Sequence, residues 1–244
     1  LICICTKNRK KKLSKTIKSI SELSNNYKAV LNILIVENNK KISIKKKSFK
    51  LKNVKSTKIV LEKKIGISSA RNRCLKEAKK LTFDYLVFFD DDCLIDKYWL
   101  NENLKFLNET KFDVVTGPHI SLNNTFLNLI ERKFKNKKKI RWASTNNVLI
   151  KRKVLNKENL IFDHQIQKIG GEDQLFFLKL NNKGYEIGWN DNSKVYDLGS
   201  KHRNKFSWFI KRSFGYGCSS YFIYKKIYIR TYVFIIFMKI FYDL

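Results

Sequence analysis

The feature that most restricts the fold is a regular alternation of short apolar runs with helical patterns across the first half of the chain. LICIC at 1–5, VLNILIV at 30–36, KIVLE at 58–62, DYLVFF at 84–89 and DVVTG at 113–117 are short, continuous and rich in β-branched or aromatic residues, so they read as strands. Between them, Leu13, Ile17, Ile20 and Leu23 fall on one helical face. Ile67, Ala70, Cys74 and Ala78 mark a second helix, and Trp99, Leu100, Leu104 and Leu107 a third. Strands alternating with helices predict an α/β fold, Rossmann-like, with a mostly parallel central sheet covered by helices on both faces. In such sheets ligands bind beyond the carboxyl ends of the strands.

The second half is less regular. NNVLIK at 146–151 reads as a strand, EDQLFFLKLNNKG at 172–184 as a helix ended by Gly184, and YEIGWN and KVYDLG as short strands. The basic stretch ERKFKNKKKIR at 131–141 reads as an exposed loop or helix end. From Phe206 the chain is apolar, aromatic and basic, with no Gly or Pro after Gly217. With 244 residues and neither repeat nor flexible linker, the expectation is one domain over 1–217 with a C-terminal helical appendage over 218–244. The chain starts at Leu1 inside its first apolar run, which suggests that residues precede it, and no signal peptide is visible.

Charge narrows the partners less than it first promises. Lys+Arg 51 against Asp+Glu 21 gives +30, which suits nucleic acid, an anionic membrane surface or phosphate-bearing substrates. The basic residues are spread from Lys7 to Lys239, so a drift of composition toward surface lysine accounts for the balance equally well. Cysteines at 3, 5, 74, 93 and 218 are odd in number and lack CxxC spacing, which argues against a disulfide framework or a zinc site and for a reducing compartment.

FDYLVFFDDDCLID at 83–96 puts three carboxylates at the end of an apolar strand. Were the chain extended there, Asp90 and Asp92 would converge and Asp91 would point away. Two converging carboxylates suit Mn2+ or Mg2+, whose remaining positions are filled by water and phosphate oxygens. Asp96 reads as the cap of the following helix, expected to begin near Lys97. Upstream, Gly66 precedes a helix carrying Ser68, Ser69, Arg71 and Asn72 in its first turns, a natural anion site or an ordinary solvated face. Downstream, a Gly-Gly turn leads into Glu172 and Asp173, where acidic residues serve either the helix dipole or catalysis.

Taken in order, VENN, GISSARN, FFDDD, TGP, STNNVLIKR and GGEDQ resemble the family 2 glycosyltransferases, inverting sugar transferases of the GT-A fold. The resemblance runs from Leu1 to about Gly217 and includes KVYDLGSKHRNKFSWFIKRSFGYG near the end. It implies a nucleotide-diphosphate sugar donor held by the CTKNR loop at 5–9, with Thr6 and Asn8, by Glu37 at the nucleobase, and by Arg71 and Asp91. It implies metal ligation by Asp90 and Asp92, and Asp173 as general base toward a hydroxyl of a glycan or lipid-linked acceptor. Glu37 stands where the family usually has aspartate, and Tyr196 where relatives often carry a histidine, with His202 nearby as another potential ligand. Hydrophobic-Asp-x-Asp also opens phosphatases of the haloacid dehalogenase type. There it lies near the chain start, whereas here more than 80 residues precede it. An RNA-binding module would share the charge, but no RNA-binding signature is recognisable, so no specific nucleic-acid partner is expected.

The segment YFIYKKIYIRTYVFIIFMKIFYDL at 221–244 mixes aromatic and apolar side chains with Lys225, Lys226, Arg230 and Lys239. Its charge-free run from Thr231 to Met238 is far shorter than the roughly 20 residues a bilayer needs. The pattern predicts a helix lying in the headgroup region of an anionic leaflet, and so an enzyme on the cytoplasmic face of the cell membrane. A core helix packed on the catalytic domain is the competing expectation.

Overall fold

The computed structural model describes residues 1–45, 49, 51–122, 134–157, 160–167, 169–199 and 205–242, with the side chains of 157 and 228–242 excepted. The expected alternation is there. β1 (Ile2–Thr6) leads through α1 (Lys10–Ser21) to β2 (Leu31–Asn38) and β3 (Val54–Glu62), then α2 (Ile67–Ala78), β4 (Tyr85–Asp90), β5 (Cys93–Ile95), α3 (Trp99–Glu109), β6 (Val114–Thr116) and β7 (His119–Ser121). The second half contributes β8 (Lys139–Ile140), β9 (Asn147–Lys151), α4 (Arg152–Lys157), α5 (Glu172–Asn182), β10 (Ile187–Trp189), β11 (Val195–Asp197) and α6 (Phe206–Tyr242).

Eight strands form the central sheet in the order β3-β2-β1-β4-β9-β6-β10-β8. β1, β2, β3 and β4 run parallel, and β10 is parallel to β6. β9 runs against both β4 and β6, and the two-residue edge strand β8 runs against β10, so the sheet is more mixed than the alternation predicts. The reversal has a use. Phe89 pairs with Asn147, so the start of β9 meets the end of β4 at one edge, and residues just before β9 stand beside the acidic run.

Both faces of the parallel strands are buried, which is why their sequences are continuous rather than alternating. Ile2, Ile4, Ile33, Ile35, Val87 and Phe89 pack on one side with Leu13, Ile17 and Ile20 of α1 and Trp99, Leu104 and Leu107 of α3. Cys3, Leu34, Val36, Leu86 and Phe88 pack on the other with Ala70, Cys74 and Ala78 of α2 and Phe176, Phe177 and Leu180 of α5. All five cysteines are free, and Cys3, Cys74 and Cys93 are buried packing residues, as their positions suggest.

Two boundaries differ from expectation. α3 begins at Trp99, not near Lys97, because Asp96 caps the preceding turn: its Oδ1 accepts the Tyr98 amide at 2.9 Å and its carbonyl accepts the Trp99 amide at 3.0 Å. The division expected at 217/218 falls inside α6, which runs unbroken from Phe206 to Tyr242. Glycine inside a helix costs only about 1 kcal/mol, too little by itself to break α6 at Gly215 or Gly217. No helix among the described residues is long and apolar enough to cross a membrane.

Candidate active site

The carboxyl edge of the sheet gathers Thr6, Glu37 and Asp90, the last residues or nearly so of β1, β2 and β4, since Thr6 pairs with Glu37 and Cys5 with Asp90. β4 stops at Asp90 and the chain turns through Asp91 and Asp92 before β5. The side-to-side alternation of an extended strand therefore does not apply. Asp91, expected to point away, instead faces Arg9, as Asp92 does. Its Oδ2 accepts the Thr6 hydroxyl at 2.5 Å and its Oδ1 accepts Arg9 Nη1 at 3.1 Å. The same Arg9 nitrogen lies 3.3 Å from Asp92 Oδ2, which also accepts Lys12 Nζ at 3.2 Å. Lys12 further donates to the Gly199 carbonyl at 2.9 Å, and the Leu198 amide donates to the Asp92 carbonyl at 2.9 Å, tying β11 to the acidic turn.

Asp90 is different. Its carboxylate accepts no hydrogen bond among the described residues, and burial pushes its pKa up to about 7, opposed by Arg71 and reinforced by Asp92, Asp91 and Asp173. A half-buried carboxyl surrounded by other carboxylates is stabilised by any cation that reaches it.

Arg71, on α2, is buried and donates from Nη1 to Glu172 Oε1 at 2.5 Å. Burial alone would lower its pKa, yet it is raised, because Asp173, Glu172 and Asp90 all hold the guanidinium charged. Glu172 shifts upward through burial and the adjacent Asp173, with Arg71 opposing, and its second oxygen is buried without a hydrogen-bond partner among the described residues. Asp173 accepts the Ser144 hydroxyl at 2.9 Å on Oδ2 and the Gln174 amide at 2.8 Å on Oδ1. One guanidinium thus collects the acidic run of β4 and the acidic pair of α5.

The remaining sequence candidates occupy less direct places. Glu37 is fully buried, and its two oxygens take the Ser43 hydroxyl at 2.5 Å and the amides of Ser43 at 2.8 Å and Ile44 at 3.1 Å. Those bonds outweigh burial and lower its pKa. Its carboxylate therefore shapes the loop after β2. Asn8 has φ 56 and is exposed, accepting the Asn39 side-chain amide at 2.8 Å from that same loop. The start of α2 is closed and not an open anion site: Ser68 donates to the Asp163 carbonyl at 2.8 Å, and Asn72 exchanges bonds with the Phe162 backbone at 2.9 and 2.7 Å. Tyr196 directs its hydroxyl to Asp96 at 3.4 Å. His202, Arg203 and residues 123–133 lie outside the described residues.

Sequence reading missed Arg9, Lys12 and Ser144. Arg9 closes the CTKNR loop as the residue before α1 and Lys12 lies in the first turn of α1, three residues on and so on the same side, a pattern legible once that loop is placed beside the aspartates. Ser144 lies inside the quoted STNNVLIKR motif, but only the reversed β9 shows that it reaches Asp173.

Two or three carboxylates with oxygen donors alone are the chemistry of Mg2+ and Mn2+, which keep water and substrate phosphate in their other positions. Among the described residues no group of three or more His, Cys, Asp or Glu side chains is arranged to hold a metal by itself. Asp90, without a hydrogen bond, and Asp92 next to it fit a site that the substrate completes.

The sequence model described as Glycosyl transferase family 2 matches residues 1–165, more than half of the chain. The chain belongs to this family. The glycosyltransferase is 26% identical over 228 residues to the succinoglycan biosynthesis protein ExoM of Rhizobium meliloti, covering 88% of this chain and 72% of that protein. Its fold is similar to crystal structures of S. aureus TarS residues 1–349, with a TM-score of 0.60 at 18% identity, covering 80% of this chain and 59% of that one. The similarity extends to the TarS 1–349 structure in complex with UDP-GlcNAc, with a TM-score of 0.61 at 17% identity over 83% of this chain and 59% of that one. Against those structures the chain spans about three fifths of the length. Family membership displaces the phosphatase and RNA-binding readings.

Proposed function

We propose that this glycosyltransferase is inverting and metal-dependent, and that it transfers a sugar from a nucleotide-diphosphate donor to a hydroxyl of a glycan or lipid-linked acceptor in polysaccharide synthesis at the cytoplasmic face of a membrane. The observation that carries the reading is the buried Arg71 within electrostatic reach of Asp90, Glu172 and Asp173. It joins the metal-type carboxylates to a candidate base at one edge of the sheet. The relatives agree in kind: ExoM is named for succinoglycan biosynthesis, and TarS is seen with UDP-GlcNAc.

Asp90 and Asp92 would hold Mn2+ or Mg2+, which when bound supplies Lewis-acid neutralisation of the departing diphosphate. Arg9 and Lys12, already on Asp91 and Asp92, keep the acidic turn in place and offer positive charge on the donor side. Thr6, by bonding Asp91, locks the first loop to that turn. Glu37 and Asn8 shape the loop against which the nucleobase lies, through Ser43 and Asn39. Asp173, held by Ser144, accepts the proton of the acceptor hydroxyl as its oxygen attacks the anomeric carbon, giving inversion in one displacement. Holding both substrates in line supplies much of the remaining acceleration.

Donor turnover tests this directly. Hydrolysis of UDP-, GDP- and dTDP-sugars with and without Mn2+ should reveal one preferred nucleotide and a divalent requirement. Donor binding indifferent to Mn2+ and turnover indifferent to Asp173→Asn would together refute the mechanism.

A further inference from the structure

The two sides of α6 have different surroundings. On one side Ser219 and Ile223 are buried, and Ile223 packs with Leu175 and Leu178 of α5 while Ile169 and Ile227 close the seam. The approach is tightest at Gly171, the residue before Glu172: it has φ +89, and a Cβ there would stand 3.0 Å from Ser219 Cβ and 3.1 Å from Ile223 Cδ1. Gly170 lies against Arg212 Nη1, and Lys226 pairs with Asp163 and donates to Gln165 at 2.7 Å. α6 thus buttresses the turn that carries the acidic pair, at several points along its length.

On the other side Ile210, Phe214 and Tyr221 are 54%, 74% and 65% exposed. Steps of four and seven residues keep them within about 40° of arc on a helix of 3.6 residues per turn. Exposed Lys211 and Lys225 lie along one edge of this stripe. A second copy of the chain would bring +30 against +30, and a nucleic acid would match the charge but leave the apolar stripe in water. An apolar and aromatic stripe with lysines along one edge, in the described first part of this helix, matches the boundary between headgroups and acyl chains of an anionic leaflet.

We infer that the Ile210–Phe214–Tyr221 face of α6 seats an anionic lipid surface, and that docking there steadies the Gly170–Asp173 turn through the opposite face of the same helix. The inference deepens the membrane part of the proposed function and rests on it. Its readouts, however, need no sugar transfer, so a failed donor assay would leave them standing. The test is co-sedimentation of the full chain with phosphatidylglycerol–phosphatidylcholine vesicles, with amide hydrogen exchange followed in the peptide 169–178. The parent should pellet with anionic but not with neutral vesicles, release at high salt, and show about tenfold slower exchange in that peptide when bound. The double variant Phe214→Ser, Tyr221→Ser changes only exposed positions and should lose most of the pelleting while exchanging like the lipid-free parent. Equal pelleting of parent and variant would overturn the seat, and pelleting without protection at 169–178 would overturn the coupling. A lipid-free dimer abolished by the same two substitutions would overturn the lipid assignment in favour of self-association.

Discussion

Arg71 Nη1 stands 2.5 Å from Glu172 Oε1, a buried ion pair that fastens the first turns of α2 to the first turn of α5. Each partner is 9% exposed at its side chain, so neither charge can recover its solvation if the other is removed.

Arg71→Ala should therefore destabilise the fold by about 3–5 kcal/mol, the scale seen when one member of a buried pair is deleted. Urea unfolding at neutral pH measures it. The loss should shrink in mildly acidic buffer, where Asp90 and Glu172, both held above the usual carboxylate range by burial, can be relieved by protons in place of the guanidinium. A urea midpoint that does not move would show the pair to be dispensable.

Asp173→Asn should leave donor binding intact and reduce transfer by about two to four orders of magnitude, the usual scale for a lost general base. Asparagine keeps one oxygen for the Gln174 amide, and its amide nitrogen can donate to the Ser144 hydroxyl, which then accepts, so the side chain stays placed while the proton acceptor is lost. Ser144→Ala, which removes only the bond that orients Asp173, should lower kcat about tenfold with donor KM unchanged. Equal activity in Asp173→Asn and parent would reduce the residue to a helix-dipole role.

Much of this site is legible in the chain itself, for a physical reason. Strands buried on both faces must be continuous apolar runs, so LICIC, VLNILIV and DYLVFF announce themselves, and the polar residues at their carboxyl ends fall at the binding edge. What the chain does not announce is direction and turning. Nothing in NNVLIK distinguishes the reversed β9 from a parallel strand, and with it the contact of Ser144 with Asp173 is hidden. The stop of β4 at Asp90 is hidden too, because three aspartates read equally well as extended or turned. Glu37 shows the same limit. Its place at the end of β2 is legible, but its burial against Ser43 and Ile44 depends on a loop with no periodic pattern.

Asp92→Asn should abolish Mn2+-dependent donor binding while changing the stability of the fold little, since relief of repulsion from the neighbouring carboxylates offsets the weakened, partly exposed pairs with Arg9 and Lys12. Isothermal titration with donor, with and without Mn2+, reads the first effect, and thermal unfolding in chelator reads the second. Arg9→Ala makes the contrast. It frees Asp91 and Asp92 from their shared cation without touching the donor oxygens, so it should raise the apparent affinity for Mn2+ alone. Retained Mn2+-dependent donor affinity in Asp92→Asn would remove this residue from the metal site.

Far from the cleft, Glu77 sets an acid limit on the fold. It is 3% exposed at the side chain and lies 2.9 Å from Lys58 Nζ of β3, 3.1 Å from Arg73 Nε and 3.1 Å from Lys80 Nζ. The Lys58 bond, with Lys80 and against the effect of burial, lowers its pKa from 4.5 to about 2. Between those values the unfolded chain binds the proton and the folded one does not, so stability rises with pH across this window. The contribution is complete above the unfolded value and is lost as pH falls toward about 2. Because Lys58 and Lys80 are half-exposed and screened by solvent, it should amount to only about 1 kcal/mol. Glu77→Gln should reduce stability at pH 7 by that order and flatten the acid limb of the urea midpoint between pH 4.5 and about 2. An acid limb of the same slope in parent and variant would place the acid sensitivity elsewhere among the carboxylates.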